Sequence, residues 1–442
     1  MATPVPVQTN QDAIQAAQLR WRSATRVAFR FCVLYFGLYC LTNQVITGLF
    51  PIPKIDLPDP GTLPPIRAAV FWTAAHLFYM KVPLVYTGSG SGDKQYDWVL
   101  VFSVLIVALA GTAAWSILDR KRANYIALHK WFHVFLRYAV GATMVLYGMD
   151  KAVPLQMPFP HLSRLVEPYG NFSPMGVLWY SIGSSPGYEI FVGSAELLGG
   201  ILLFIPRTAL LGALICLGDA TEVFTLNMTY DVPVKLLSFH LILMTLVLLA
   251  PEMRRLAAFF FSDRAVGPPP RHSLFSRPRA NRIALWAQIV FGLLIVAGYV
   301  QGAWSSWYRY GGGAPKSALY GIWNVAELSV NGAVRPAMVT DRDRWRRVIF
   351  DRPTLMAFQR MDDTFQNYVV NVDTRANRIA ITKGTDKNWA TLNFVRPVND
   401  QLTLDGNIDG REIHMGLQLV NRNSFLLVSR GFHWVQDYPF NR

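Results

Sequence analysis

Long apolar runs separated by short charged ones fill the first three hundred residues, and a period of two takes over afterwards. A helix needs ~20 mostly apolar residues to cross a ~30 Å hydrocarbon core. Seven stretches approach or meet that length: Val27–Phe50, Trp98–Leu118, His133–Met149, Tyr188–Ile205, Thr208–Leu226, Pro233–Ala250 and Ile283–Ala303. An eighth apolar run, Ile66–Tyr86, carries Arg67, His76, Lys81 and Pro83. That mixture predicts a helix lying in the outer interface, with Trp72 and Tyr79 as anchors, rather than a span.

From Gly321 onward the pattern is that of strands. Ile413, Met415, Leu417 and Leu419 alternate with His414, Gly416, Gln418 and Val420. Tyr368, Val370 and Val372 do the same, as do Ile379 and Ile381, then Trp389, Thr391 and Asn393 against Ala390, Leu392 and Phe394; the pattern leaves open which face points inward. Turn signals separate these runs at Asn331–Gly332, Asp373–Arg375, Lys383–Thr385, Asp405–Gly406, Asp409–Gly410 and Arg422–Asn423. Short strands at this spacing predict an antiparallel barrel or sandwich, and closure is favoured because it removes exposed edges.

Composition sharpens this picture. Charged residues make up 16% of the chain and hydrophobic ones 52%, where soluble domains carry about 25% charged residues. The fold class is therefore an α-helical polytopic membrane bundle of about seven spans plus a C-terminal extracytoplasmic all-β barrel. The net charge of +14 does not indicate nucleic acid, because the basic residues cluster at segment ends. Arg20, Arg22 and Arg26, the loop Asp119–Lys130 and the loop Pro251–Arg282 fall on one side of seven spans. Positive-inside bias makes that side cytoplasmic, with the N-terminus inside and the barrel outside. The start of the chain lacks the pattern of a cleavable signal peptide, so the first apolar segment reads as a retained anchor.

The expected organisation is a cytoplasmic tail 1–26, N-terminal membrane helices 27–130 with the interfacial segment 66–86, and a four-helix bundle 131–256. A basic cytoplasmic linker 257–282, a last span 283–303, a linker 304–320 and the barrel 321–442 follow. Gly88–Gly92 reads as a flexible outer loop and Pro268–Pro270 as part of the linker. Asp150–Gly187 is long and rich in proline and aromatics, and is expected to fold over the outer mouth of the bundle.

Candidate chemistry lies in ionisable residues set inside apolar segments, where each costs at least ~2.5–3.5 kcal/mol. These are Arg137, Lys151, Glu196, Asp219, Glu222, Lys235 and His240. Asp219 and Glu222 share a helix face, and Lys235 follows across a tight turn, a placement that favours a carboxylate–ammonium cluster. His240 lies deeper and points away from Lys235. Two readings stand side by side: a polar pocket that binds a quinone headgroup and moves protons, or an ion-pair network that fixes helix register. His129 and His133 sit at metal-ligand spacing with no third ligand nearby, and no metal site is expected. Cys32, Cys40 and Cys216 form no CxxC, which argues against a disulfide framework and c-type haem. Gly193, Gly199 and Gly200 lie within a span and read as close-packing positions. In the barrel, Trp323 reads as a base plug. His414 and Gln418 share one face, and Arg342–Arg347 is a basic run around Trp345.

The stretch His133–Leu256 resembles the DoxX family of bacterial four-helix membrane proteins. The resemblance rests on Arg137 and Gly141 followed by Tyr147, Gly148 and Lys151, on Ser173–Gly183, on Ala195–Ala213 and on Tyr230–Leu256. The tail is similar to lipocalin-like barrels through Gly321, Ile322 and Trp323. The DoxX resemblance implies a bacterial cytoplasmic-membrane protein associated with redox or with quinone and lipid handling. Glu196, Asp219, Glu222, Lys235 and His240 would carry its chemistry, with Arg137, Tyr147 and Lys151 holding a quinone. The alternative is a non-enzymatic assembly subunit whose barrel docks a periplasmic or membrane protein. The sequence names no reaction and carries no haem, flavin or iron–sulfur pattern.

Overall fold

The computed structural model describes residues 20–52, 55, 57–87, 92–267, 273–384 and 386–442. Most of the N-terminal tail, most of the Gly88–Gly92 loop, Pro268–Pro270 and Thr385 lie outside these residues. The chain divides into two compact units: Met1–Val153 with Ile190–Trp304, and Pro154–Glu189 with Ser305–Arg442.

The first unit is helical. Its elements are α1 (Ser23–Leu41), the single turn α2 (Gln44–Thr47), α3 (Pro64–Leu77), α4 (Gln95–Leu118) and α5 (Ile126–Ala152). After α6 (Pro174–Gly183), which belongs to the second unit, come α7 (Pro186–Phe204), α8 (Ala209–Thr229), α9 (Lys235–Leu249), α10 (Met253–Phe261) and α11 (Pro278–Arg309). Among the described residues, six helical stretches are long and apolar enough to cross a membrane: α1, α4, α7, α8, the run Lys235–Phe261, and α11. Helix α5 has the length but also carries Lys130, Arg137, Asp150 and Lys151. Helix α3 has 14 residues, about 21 Å at 1.5 Å each, too short to cross as a helix.

Local sequence explains where these helices begin. Lys94 and Asp97 form a reciprocal cap on α4. The Asp93 carboxylate accepts the backbone N–H groups of both Lys235 and Leu236 at 2.9 Å. It thereby satisfies two of the orphan donors at the start of α9.

Glycines set the bundle's closest crossing. A Cβ on Gly148 of α5 would stand 2.7 Å from the backbone nitrogen of Leu197 on α7. A Cβ on Gly200 would stand 2.7 Å from the carbonyl oxygen of Gly141. Only bare backbone fits at these two levels, so α5 and α7 pack main chain to main chain, as small residues allow between membrane helices.

The second unit is a barrel with a strap. Strands β1 (Gly321–Val330) and β3 (Trp345–Phe350) to β9 (Arg411–Leu419) run antiparallel in chain order, and β1 pairs with both β3 and β9 to close eight strands. The remaining strands are β4 (Leu355–Arg360), β5 (Phe365–Asp373), β6 (Arg378–Lys383), β7 (Asp386–Val395) and β8 (Gln401–Ile408); β2 (Ala333–Val334) only extends the edge of β1. The period-two sets point inward: Ile413, Met415 and Leu417, with Ile379, Ile381, Leu392, Leu404 and Phe358, are buried together. Trp323 is fully buried and donates its indole N–H to Leu319 at 3.0 Å, while the Arg396 guanidinium lies 5.4 Å over its ring.

Two expectations change here. Asp405–Gly406 is inside β8, not at a turn. The glycine is used for close approach, because a Cβ there would strike the Thr391 carbonyl of β7. The turn is at Asp409–Gly410, where both residues have positive φ, 54° and 75°, as a two-residue hairpin requires. The segment Asp150–Gly187, expected over the bundle mouth, falls almost wholly in the barrel unit, which takes in Pro154–Glu189. Leu162 packs on Ile322, Ile349 and Ala357, outward-facing positions of β1, β3 and β4. Gln359, fully buried, donates to the Val166 carbonyl at 3.2 Å.

Candidate functional site

The site in the first unit is built on the α5–α7 crossing. Lys151 follows Gly148 by one turn, and Glu196 follows Gly193 by one turn. With the backbones in contact at the glycines, the two long side chains meet. Lys151 Nζ lies 2.8 Å from Glu196 Oε1 and 2.9 Å from Oε2, and both residues are buried. Asp219 of α8 is within electrostatic reach of Glu196, Glu222 and Lys151, and its Oδ2 is buried with no hydrogen-bond partner. Glu222 is exposed on the surface of α8. The Lys151 ammonium thus pairs with Glu196 and lies within reach of Asp219, while Glu222, exposed, is within reach of those two carboxylates only. In an apolar span such an imbalance is met by protons or by a cationic guest.

The line continues toward α1. The Lys151 ammonium is 5.9 Å from the Tyr147 ring centre, and the Tyr147 hydroxyl accepts from Gln44 Nε2 at 3.1 Å. Gln44 lines a cavity of ≈ 90 Å³ among α1, α4 and the start of α9, together with Tyr39, Asn43, Asp93, Tyr96 and Leu237. Tyr39 leads from the same cavity to His240. Its ring stacks on the imidazole at 3.8 Å and 6°. His240 Nε2 is 2.8 Å from the Tyr35 hydroxyl, and Nδ1 is 2.6 Å from the Leu236 carbonyl.

The sequence-selected residues therefore separate into four places, Arg137 being the fourth. Lys151, Glu196, Asp219 and Tyr147 come together, with Glu222 at the edge. His240 sits apart, between two tyrosines of α1. Lys235 does not join Asp219 and Glu222: its ammonium lies 3.1 Å from Asp231 and 3.9 Å from Asp93. The tight turn after α8 lets Lys235 fold back on Asp231, four positions earlier, a nearer partner than either α8 carboxylate.

Arg137 is buried and stands alone. Its Nε donates to the Leu203 carbonyl at the end of α7 at 2.7 Å and its Nη1 reaches Gln288 at 3.4 Å, while Nη2 has no partner. A guanidinium at a helix C-terminus neutralises orphan carbonyls and the helix dipole. This accounts for Arg137 as a structural tie.

Several residues of the site escape a sequence reading. Asp93, Asn43 and Gln44 lie in or next to loops. Tyr35 and Tyr39 are four apart on α1, a same-face spacing that is visible in the chain, but their partner is some two hundred positions away. Arg30 is buried inside α1 and is spent on Tyr125, Ser116 and the Asp119 carbonyl at 2.8–2.9 Å. His129 and His133 lie with ring centres 6.0 Å apart, and among the described residues no cluster of His, Cys, Asp or Glu is arranged to hold a metal.

In the barrel, His414 and Gln418 point outward and bond Asp405 and Asp400. They do not line an interior pocket, because the inward positions of β9 are taken by its apolar residues. The basic run is engaged internally. Arg344 is buried against the Arg335, Trp345 and Val325 carbonyls, Arg346 pairs with Asp363, and Arg347 donates to Gln359 at 2.7 Å.

Uncharacterized protein YwoB of Bacillus subtilis (strain 168) is 33% identical to this chain over 134 residues, which make up 30% of this chain and 85% of YwoB. No family model matches the chain, and no solved structure matches it. Over that stretch, the chain belongs to the same family as YwoB.

Proposed function

We propose that the bundle is a DoxX-like membrane unit that binds the headgroup of a quinone-type lipid in the cavity beside Tyr39 and Gln44. It would exchange protons with that headgroup along Gln44, Tyr147, Lys151, Glu196 and Asp219. The observation that carries this reading is the Lys151 ammonium paired with Glu196, with Asp219 in electrostatic reach, and joined to the cavity through Tyr147 and Gln44. A quinone ring needs aromatic walls and hydrogen-bond donors at its two carbonyls, and Tyr39, Tyr96, Asn43 and Gln44 offer both. Quinone reduction takes up two electrons and two protons. The residues here address only the protons, so the electrons come from a redox partner or a diffusible reductant.

The accompanying topology is part of the proposal. Helix α5 counts as the seventh span, the N-terminus is cytoplasmic in a bacterial inner membrane, and the lipocalin-like barrel lies on the periplasmic side. The basic loops at Asp119–Lys130 and after α10 support that orientation. The alternative of an assembly subunit draws on the barrel. Its interior is filled by apolar side chains, which suits docking of a protein partner better than carriage of a ligand.

Proton uptake when a soluble quinone analogue bound to the purified protein is reduced by an added electron donor, in weak buffer with a pH dye, tests the reading. Wild type takes up protons as the bound quinone is reduced. Glu196→Gln binds the analogue but takes up protons more slowly. Equal binding and equal rates in both would remove the carboxylates from the mechanism.

A further inference from the structure

The end of the chain carries a surface that neither the cavity nor the barrel core uses. After β9 the chain forms one helical turn, α12 (Leu426–Ser429), and then runs to Arg442 without regular structure. Phe432 is 77% exposed, Trp434 91% and Tyr438 83%. Leu426 and Leu427 are half-exposed beside them. Cations interleave with the rings: Arg430 lies 4.5 Å and Arg442 5.4 Å from the Phe440 ring centre, and His433 and Arg430 are in contact. Asp437 is the only acidic side chain in the stretch. Aromatic rings of this size left in water forgo the burial that would stabilise them, and the barrel interior is already full.

We propose that residues 426–442 lie in the headgroup layer of a phospholipid bilayer. The rings of Phe432, Trp434 and Tyr438 sit at the acyl boundary, and Arg430 and Arg442 meet lipid phosphates. Composition and charge favour lipid over another protein: three exposed rings stand among cationic side chains, with one carboxylate in the stretch. The end of α11 shows the same chemistry, with Trp304 and Tyr308 more than half exposed beside Arg309 and Tyr310. Tryptophan, tyrosine and basic residues at one level are the composition of an interfacial belt.

The test uses the full chain in lipid discs, with Cys32, Cys40 and Cys216 replaced by serine and a bimane label on Val435→Cys. A second label site, Ser429→Cys, gives an independent reading, and Val369→Cys on the exposed face of β5 is the control. Phospholipid carrying a headgroup nitroxide should quench the label at 435 and at 429 by roughly twofold or more, and the control far less. Adding Phe432→Ser with Trp434→Ser should abolish that quenching. Quenching no greater than the control, with solvent-like emission, would overturn the proposal. So would a label shielded from both lipid and aqueous quenchers, which would mean that a protein covers the segment.

Discussion

Lys151 and Glu196 meet as a two-pronged ion pair, Nζ to both carboxylate oxygens, on two helices whose glycines let their backbones touch one turn away. A buried pair of this kind is weak evidence for stability and strong evidence of a constraint. Removing one partner leaves a charge without compensation. Lys151→Ala or Glu196→Ala should each lower stability by about 3–5 kcal/mol, read as a fall in melting temperature in detergent. The double variant Lys151→Met with Glu196→Leu should recover most of that loss. If the double variant melts as low as the singles, the pair is held by more than its own charges.

The crossing itself can be tested. Gly148→Ala places a methyl group within 2.7 Å of the Leu197 nitrogen, so the helices must part. Overpacking of this kind costs about 1–3 kcal/mol. The variant should also lengthen the Lys151–Glu196 contact, visible as an altered response of the melting temperature to Glu196→Gln. Gly218→Ala on α8, which meets nothing within 4 Å, is the control and should melt as wild type.

The barrel rests on Trp323. Its indole is fully enclosed and hydrogen-bonded to Leu319, so Trp323→Ala should cost about 3–5 kcal/mol. Near-ultraviolet dichroism and protease resistance of the second unit would report the loss. Gly406→Ala should also destabilise, because its Cβ meets the Thr391 carbonyl.

Acid should loosen the barrel at one identifiable turn. The backbone N–H groups of Ala376 and Arg375 hold the Asp373 carboxyl below its ordinary value of 3.8. A carboxyl depressed in the fold contributes stability that is present above the unfolded value and lost as pH falls through the folded one. Asp373→Asn keeps an acceptor oxygen but cannot titrate. Its melting temperature should fall less than that of wild type below about pH 4. Parallel acid limbs in the two proteins would show that the turn does not contribute.

How much of this was legible in the chain follows from the range of each interaction. Period-two alternation marked β5, β6, β7 and β9 as strands with two unlike faces, because alternation is local; which face turns inward is set by closure of the barrel. The glycines of α7 were readable as packing positions for a similar reason. Asp405–Gly406 misled because the dipeptide that makes a tight turn also permits close strand approach; only the paired strand decides which. Lys235 was drawn to Asp219 and Glu222 by level alone, whereas Asp231 was nearer along its own turn. The partners that set the cavity wall and the seat of His240, Asp93 to the start of α9 and Tyr35 to His240, are separated by more than one hundred residues. Nothing local encodes them. The grouping of Pro154–Glu189 with the barrel is illegible for the same reason: the segment joins two bundle helices in sequence and packs on the barrel in space.

The central claim is that the cavity beside Tyr39 and Gln44 holds a quinone-type lipid. Protein extracted in native lipid discs, followed by solvent extraction and mass spectrometry, measures this directly. The account predicts quinone enriched toward one per protein, and lost in a Gln44→Leu variant that melts as wild type. Quinone at the level of the surrounding membrane, unchanged by that variant, would contradict it and leave the ion-pair line as scaffolding for a partner-binding subunit.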